Sequence, residues 1–411
     1  MEWVREMKYD VGGVLLDRPF RIRRLGHFGV NCYSIDEAYS FYTRLLGFKL
    51  SDELPFAKIL PPEKKHIAEG SGGTGYFLRY GSDHHSLVIF PKRVRDQMGG
   101  SAATPPGITT NQITWQVGSL QEVVDGHTWF KESKQEIIRA GRDMPGSNWH
   151  VYLFDSDWHV NELYYGIEQI GWSGQSKPGP MRERGFDVVP ELPQKSEQQE
   201  VDEAIAAGID ISAGHRSIDA YDETFVVDGV YLQRPFRVTG IGPVRLFTPD
   251  VDAMVAYYRD IMGMTVTEEI EYQGHRAVFL RVNAEHHSMA VYDIGLREVL
   301  GLREDTTLMS FGMKVANYRQ LRDAAAWLKG KDVEFVELPG ELFPGIAHAA
   351  HIKDPDGHLI QLYFGMEQVG WAGERSTGRV AAVTSDPATW PETIEDDGTL
   401  FDGEVFMGPW S

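Results

Sequence analysis

The chain has 411 residues, with 60 acidic and 40 basic side chains and a formal net charge of −20. Such acidity argues against nucleic acid or an anionic membrane as a partner. The sequence has no run of 18 apolar residues and a polar N-terminus, so it predicts neither a transmembrane helix nor a signal peptide. The single cysteine, Cys32, excludes an intrachain disulfide. We therefore expect a cytoplasmic protein of two or three globular domains.

The sequence contains an internal repeat. Arg18-Pro19-Phe20 returns as Arg234-Pro235-Phe236, and a Tyr-x-x-x-x-Gly motif occurs at 42–47 and again at 258–263. The offset between the copies shrinks along the chain, from 243 − 27 = 216 to 370 − 171 = 199. Loops accept deletions more readily than strand ladders do. We infer that the second copy keeps the strands of the first and has shorter loops.

The hydrophobic pattern of the first copy predicts two similar units. Residues 25–33 predict a strand, and Ile35 to Leu46 has helical spacing with Ser34 as the N-cap. Two more strands are predicted at 76–80 and 86–90. The same order returns from Ile113, with a helix to about Ser133 and strands near 150–154 and 160–165. Each half is therefore two βαβββ units, and the chain is an α+β protein of four such units.

The repeat also predicts the domain boundaries. We assign an N-terminal domain to 1–173, a linker to 174–225, a C-terminal domain to 226–373 and an acidic tail to 374–411. The linker predicts a short helix from Asp202 to Ala207, and the tail is expected to pack over the body. The stretch 70–75 matches GxGxxG by letter but precedes a strand, which favours a hairpin loop over a phosphate site.

The end of each half carries a motif of the form Asp-x-Asp-x-His-x-x-Glu/Gln-Leu-Tyr, at 155–164 and 354–363. Together with the four units, this motif resembles the vicinal oxygen chelate superfamily, over about 20–172 and 236–371. That superfamily includes glyoxalase I, bleomycin-resistance proteins and type I extradiol ring-cleavage dioxygenases. The resemblance implies two tandem domains, each forming a curved, barrel-like sheet. We interpret the aspartates of the motif as turn formers.

Within the superfamily, the first half most resembles the active half of an extradiol dioxygenase. The resemblance implies metal ligands at His27 and Glu162, and a third ligand where this chain has Gln112 instead of histidine. Two nitrogens and a carboxylate form the facial triad that suits non-haem Fe(II). Glutamine offers a neutral amide oxygen and should bind iron more weakly. Fe(II) is the expected metal, with Mn(II) or another divalent metal as the alternative.

The same resemblance implies three catalytic residues. His85, within Asp83-His84-His85-Ser86, would handle protons, and Tyr152 would contact the substrate. His150 would share the strand face of Tyr152. Because His286-His287 repeats the pair in the second half, a structural role for the pair stays open. Tryptophans close to the proposed ligands in sequence are expected to line an apolar cavity: Trp115, Trp149 and Trp158.

The second half lacks the ligand pattern. Pro243 replaces His27, Ser310 falls near the position of Gln112, and Gln361 replaces Glu162. His351 stands at the position of Tyr152. Since proline cannot bind a metal, we expect one working site in the N-terminal half and a supporting second half.

Three functions remain open from the sequence. The first is an extradiol-type dioxygenase that cleaves a small aromatic diol with O₂. The second is a non-redox isomerase, epimerase or lyase, in which a metal acts as a Lewis acid on an enediolate and glutamine is a suitable ligand. The third is a metal-free small-molecule-binding protein, although such proteins are usually much shorter. A homo-oligomer is expected by analogy alone.

Overall fold

The computed structural model describes residues 8–70, 72–98, 105–182, 184–186, 188–217, 223–370, 386–395 and 400–401. The strands are β1 (Tyr9–Val11), β2 (Val14–Leu16), β3 (Arg24–Cys32), β4 (Lys49–Pro55), β5 (Thr74–Arg79), β6 (Leu87–Pro91), β7 (Thr110–Gln116), β8 (Ile137–Arg142), β9 (Trp149–Phe154), β10 (Val160–Tyr165), β11 (Arg184–Gly185), β12 (Phe225–Val227), β13 (Val230–Leu232), β14 (Val238–Thr248), β15 (Thr265–Tyr272), β16 (His275–Arg281), β17 (Met289–Asp293), β18 (Leu308–Val315), β19 (Phe335–Val336), β20 (Ala349–Lys353) and β21 (Leu359–Tyr363). The α-helices are α1 (Ile35–Ser40), α2 (Phe56–Ile59), α3 (Lys92–Met98), α4 (Leu120–Glu132), α5 (Glu197–Ala206), α6 (Val251–Ala256), α7 (Gly295–Val299) and α8 (Tyr318–Lys329).

Two large mixed sheets, one for each copy of the repeat, form the body of the protein. The strand order is β11-β8-β9-β10-β7-β3-β6-β5-β4 in the first and β15-β16-β17-β14-β18-β21-β20-β19 in the second. In each sheet the first strands of the two units pair antiparallel at the centre, β3 with β7 and β14 with β18. The predicted α+β architecture of four βαβββ units in two tandem domains, each a curved, barrel-like sheet, is confirmed.

The connecting segment has more structure than a bare linker. Its strand β11 extends the first sheet beside β8, and α5 begins earlier than the predicted short helix. Arg142 on β8 forms a bidentate ion pair with Glu200 on α5, at 2.6 and 2.9 Å. The predicted domain boundaries themselves stay a prediction.

Part of the predicted tail packs on the second half. Trp390 is buried, and the Phe401 amide donates to the Met366 carbonyl at 2.7 Å. The remaining tail residues, and Trp371 of the repeat, lie outside the described residues. Among the described helices, none is both long and apolar enough to cross a membrane.

The first helix of each half ends in a π turn that places a tyrosine between the halves. The turns cover Phe41–Leu45 and Tyr257–Ile261. The Tyr42 hydroxyl donates to Asp354 Oδ2 at 2.8 Å, and the Tyr258 hydroxyl donates to Asp155 Oδ2 at 2.9 Å. The predicted turn-forming role of these aspartates is confirmed, since Asp155 also accepts from the amides of its own turn. Each turn therefore also binds the opposite half.

The repeated Arg-Pro-Phe motif makes a second reciprocal contact. Arg18 donates to the Gly263 carbonyl at 3.5 Å, and Arg234 donates to the carbonyls of Thr43 and Arg44 at 2.6 and 2.9 Å. The Arg-Pro-Phe motif of each half thus binds the Tyr-x-x-x-x-Gly motif of the other half. One hydrophobic core, drawn from both copies, fills the space between the two sheets.

The predicted N-cap residue of the first helix is confirmed, but it caps the helix without its side chain. Ser34 stands at the N-cap position, but its side chain makes no capping hydrogen bond. Instead, the carboxylate of Asp356 from the other half accepts from the backbone amides of Ser34 and Tyr33, at 2.9 and 2.6 Å. A negative charge at a helix N-terminus is favourable, and here the opposite half supplies it.

Removing either inter-half hydroxyl should destabilise the whole chain. Tyr42→Phe and Tyr258→Phe each delete one hydrogen bond to a buried carboxylate, which costs about 2 kcal/mol of unfolding free energy. The tyrosines share no partner, so the double variant should lose the sum of the two. Urea unfolding measures both effects, with exposed Tyr231→Phe as the control. Equal stability of Tyr42→Phe and Tyr231→Phe would contradict this account.

Candidate metal and substrate site

The three predicted metal ligands lie together on the concave face of the first sheet. They come from three adjacent strands, β3, β7 and β10. The register places Thr114 directly opposite both His27 and Glu162, with Gln112 two residues away on the same face. His27 and Glu162 are inaccessible to solvent, and Gln112 is also buried.

The carboxylate of Glu162 is the centre of this cluster. Its Oε2 lies 3.1 Å from His27 Nε2, and it accepts from Gln112 Nε2 at 3.3 Å and from the Thr114 hydroxyl at 2.9 Å. The Asn148 amide donates to Oε1 at 2.7 Å. Burial alone would raise the pKa of Glu162, but His27 above all, with His150 and Thr114, lowers this pKa to about 2. The group is therefore a buried, fully ionised carboxylate.

His85 lies beside this cluster. Its ring centroid is 4.2 Å from that of His27 and 5.0 Å from that of Phe77. Its Nδ1 is 3.0 Å from Nδ1 of His84, so one of the two nitrogens carries the proton. Burial, with the charges of His27 and His84, holds the pKa of His85 well below its usual range. His85 is thus a neutral imidazole at pH 7.

The second half shows which tautomer this histidine pair adopts. There the buried Arg245 approaches His287 Nε2 at 3.1 Å. A guanidinium can only donate, so His287 Nε2 accepts and its Nδ1 carries the proton. That proton points to His286 Nδ1 at 3.0 Å, which leaves His286 Nε2–H to donate to Glu268 at 3.0 Å. Arg245 therefore fixes the donor and the acceptor in each hydrogen bond of this series.

The same order in the first half would give His85 a free acceptor. Asp52 takes the place of Glu268, and its Oδ2 lies 3.8 Å from His84 Nε2, beyond hydrogen-bond distance. By analogy with the second half, we infer that the His84 proton lies on Nε2. The Nδ1 proton of the pair would then belong to His85, and Nε2 of His85 would be the unprotonated nitrogen.

Tyr152 and His150 also reach the cluster. Tyr152 is paired with Glu162 across β9 and β10, and the His150 ring centroid is 4.7 Å from that of Tyr152. His150 Nδ1 is 3.6 Å from Glu162 Oε1. Burial, followed by the charge of Glu162, raises the pKa of Tyr152 well above its usual value. Tyr152 is therefore a neutral hydroxyl beside the carboxylate.

The predicted tryptophan lining is wrong. Trp115 lies on the opposite face of β7 from Thr114, and its indole donates to Asn161 at 2.9 Å. Trp149 likewise belongs to the core shared by the two halves. Trp158 is half-exposed in the turn before β10. Strand alternation turns the first two away from the site. The apolar wall of the concave face instead comes from a separate cluster that includes Phe77, Val88 and Phe90.

In the second half, a guanidinium occupies the position that corresponds to the polar cluster around Glu162. Arg245 is buried, and it donates to Gln361 Oε1 at 2.7 Å besides His287 and Ser310. Gln361 Nε2 lies 3.1 Å from His351 Nε2. In the repeat, Arg245 corresponds to Gly29, where a Cβ would meet Asn111 Cβ at 2.9 Å. The positive side chain occupies this position in the second half, and the absence of a metal site there stays a prediction.

Several polar residues of the site were missed from the sequence. Asn148, Arg139 and Asp143 lie on or beside β8 and β9, at positions that no motif marks. Thr114 shares the alternation of Gln112 and could have been identified from it. Comparing the two copies could also have identified Arg245, because a glycine and an arginine occupy equivalent strand positions.

The donor set fits a divalent metal ion. The imidazole of His27 and the side-chain amide of Gln112 lie 3.1 and 3.3 Å from Oε2 of the ionised Glu162 carboxylate. No group of three His, Cys, Asp or Glu side chains is arranged for metal binding in the part of the chain that the structure describes. The third predicted ligand, Gln112, is not one of these four residue types. Side-chain amide oxygens are ordinary ligands of hard divalent cations.

Comparison with known proteins shows the family. The Glyoxalase/Bleomycin resistance protein/Dioxygenase superfamily matches residues 24–179 and 240–362, one segment in each half. The matched segments include all three predicted ligands. The chain belongs to this superfamily, and its recognition from the sequence is confirmed.

Individual relatives are more distant. A 3-methylcatechol 2,3-dioxygenase of Pseudomonas putida is 25% identical over 130 residues, which span 32% of this chain and 36% of that protein. A halotolerant catechol dioxygenase has a TM-score of 0.52 at 15% identity, over 87% of this chain and 91% of its own. An Mn(II)-bound glyoxalase from Novosphingobium aromaticivorans has a TM-score of 0.51 at 14% identity, over 92% and 97%. The two structures establish a shared fold.

The buried carboxylate should give the metal-free protein a characteristic response to acid. Because the pKa of Glu162 is lowered to about 2, its stabilising contribution is present above an unfolded pKa of about 4.3 and is lost as pH falls towards 2. Between pH 5 and pH 2, wild type should therefore lose up to about 3 kcal/mol relative to Glu162→Gln. Urea unfolding across this range measures the difference. The unfolding free energy of the exposed control Glu132→Gln should vary with pH as that of wild type does. The same pH dependence in Glu162→Gln would refute the lowered pKa of Glu162.

Proposed function

We propose that this protein is an extradiol-type dioxygenase that cleaves a catechol-like substrate in its N-terminal half. His27, Gln112 and Glu162 would hold the metal, Fe(II) in the first place and Mn(II) or another divalent ion as the alternative. The observation that carries the proposal is the approach of His27 and Gln112 to the carboxylate of Glu162, at 3.1 and 3.3 Å from Oε2, with the neutral His85 ring 4.2 Å from the His27 ring. A metal held by these residues would supply the redox chemistry for the reaction of a vicinal diol with O₂.

The residues around the metal position suit a diol. With its Nε2 unprotonated, His85 would accept a proton from one substrate hydroxyl and return it later in the reaction. Tyr152, neutral and beside Glu162, would donate a hydrogen bond to a substrate oxygen, and His150 would support it on the same strand. Phe77, Val88 and Phe90 would pack on the ring and exclude water.

A second function is favoured by one observation. Gln112, on β7, gives the site a neutral donor in place of a second imidazole. Such a set suits Lewis-acid chemistry without change of oxidation state. A non-redox isomerase, epimerase or lyase acting on an enediolate is therefore the alternative proposal.

The remaining features of the proposal concern the setting of the protein. The single, buried Cys32 suits a reducing, cytoplasmic compartment. A net charge of −20 suits a small-molecule substrate rather than nucleic acid or an anionic membrane. We retain the N-terminal domain at 1–173, the C-terminal domain at 226–373 and a homo-oligomer as part of the proposal.

Oxygen consumption separates the two functions. The protein is purified anaerobically, assayed for metal, loaded with Fe(II) and mixed with catechols while O₂ uptake and the yellow ring-cleavage product are followed. We expect one O₂ consumed per ring cleaved. Turnover of an enediolate substrate with zinc, nickel or manganese and no O₂ uptake would establish the alternative. A protein that binds no divalent metal would overturn both.

Metal content tests the ligand assignment. His27→Ala should remove most of the bound metal, because it deletes the only imidazole of the three proposed ligands. Gln112→His should raise Fe(II) affinity, since imidazole is the stronger donor to iron. Gln361→Ala is the matched control from the second half and should keep wild-type stoichiometry, one metal per chain. Full metal content in His27→Ala, measured by atomic emission after dialysis, would refute the assignment.

A further inference from the structure

One arginine beside the site, Arg95, forms no ion pair with any carboxylate of the described residues. Arg95 lies on α3, between β6 and β7, with its ζ carbon 5.9 Å from the Phe90 ring centroid. Its Nε is buried and makes no hydrogen bond, and no ion pair to Arg95 is found among the described residues. An arginine normally satisfies its donors when it leaves water, because an unpaired buried charge costs several kcal/mol. Arg95 therefore has unused donor capacity.

A second guanidinium lies nearby. The ζ carbon of Arg139, on β8, is 4.5 Å from the centroid of the Tyr152 ring. Arg95 is close enough to both residues for their charges to interact, and burial followed by the charge of Arg139 lowers the pKa of Arg95 to about 10. Arg95 is still protonated at pH 7. Two positive charges thus approach the tyrosine that pairs with Glu162.

The neighbouring carboxylates are engaged elsewhere. Asp143 is shared between Arg139, at 3.6 Å, and His150, at 3.1 Å. Asp96 forms an ion pair with Lys92 at 2.5 Å. Glu162 accepts hydrogen bonds from Gln112, Thr114 and Asn148. Arg139 therefore has an ion-pair partner, whereas Asp96 acts on Arg95 through its charge and no ion pair to Arg95 is found among the described residues.

The position of Arg95 relates it to the proposed reaction. Phe90, under the guanidinium, lies 5.7 Å from Phe77, and Phe77 lies 5.0 Å from His85. An aromatic ring against this wall would have one edge towards His85 and Glu162 and its other edge towards Arg95. Arginine binds carboxylates through two parallel hydrogen bonds, which suits a planar anionic substituent on that outer edge.

We propose that Arg95, assisted by Arg139, binds a carboxylate on the substrate, so that the preferred substrate class is an aromatic diol bearing a carboxylate rather than a neutral catechol. This inference rests on the proposed function for the diol end of the substrate. The carboxylate end depends only on the two arginines and the apolar wall, so it can be tested separately.

Matched pairs of ligands test the carboxylate. Binding of 3,4-dihydroxybenzoate and of its uncharged amide to the Fe(II)-loaded protein is measured by anaerobic calorimetry. Benzoate and benzamide are then compared on the metal-free protein. A hydrogen-bonded charge pair should make each acid bind roughly tenfold to a hundredfold more tightly than its amide.

Variants on one helix assign the effect to Arg95. Arg95→Met should reduce the preference for the acid to about twofold or less, and Arg95→Lys should retain part of it because the charge remains without the planar fork. Arg93→Met, exposed on the same helix, should leave the preference unchanged. Arg95→Lys, together with the salt dependence of wild type, decides the matter should Arg95→Met not fold.

The outcomes separate the two proposals. Cleavage of catechols with equal binding of acids and amides would overturn the carboxylate inference and leave the dioxygenase intact. Failure to cleave any catechol would remove the proposed function, and the benzoate and benzamide pair would still decide the anion site. An acid preference that persists in Arg95→Met would overturn the assignment to this residue.

Discussion

A buried tyrosine from each half donates a hydrogen bond to a buried aspartate of the other half. Tyr42 donates to Asp354 and Tyr258 donates to Asp155, and each aspartate forms the turn that leads into the last strand of the second βαβββ unit of its half. That last strand carries Glu162 in one half and Gln361 in the other. The position of the central carboxylate therefore depends on a contact from the opposite copy. The second half thus helps to position Glu162 in the first.

The two copies place opposite charges at the same point of the same fold. In the first, ionised Glu162 is surrounded by neutral or positively charged donors. In the second, the guanidinium of Arg245 is surrounded by neutral acceptors. The anionic copy has the charge that a divalent cation would require, whereas the cationic copy has a guanidinium at the corresponding position.

Much of the site was predictable because strand periodicity is a local property. Alternation predicted β3, β7 and β10, and the superfamily resemblance then marked His27, Gln112, Glu162 and Tyr152. The same alternation excludes Trp115, which was nevertheless expected in the cavity because it is near Gln112 in sequence. Asn148 and Arg95 could not be predicted, because they lie on a loop and a short helix whose packing no local pattern fixes, and Arg139 lies on β8 outside any motif.

The sequence by itself determined the repeat, the order of strands and helices, and the superfamily, since each follows from local patterns and from motifs repeated at fixed spacing. Only the tertiary structure decided which partners those motifs have. Asp356, and not the Ser34 side chain, caps the first helix, and Arg234 binds the π turn of the other half. These contacts join residues 190 or more positions apart. Such pairs form only when two folded surfaces meet, so their energies are set by packing rather than by local preference.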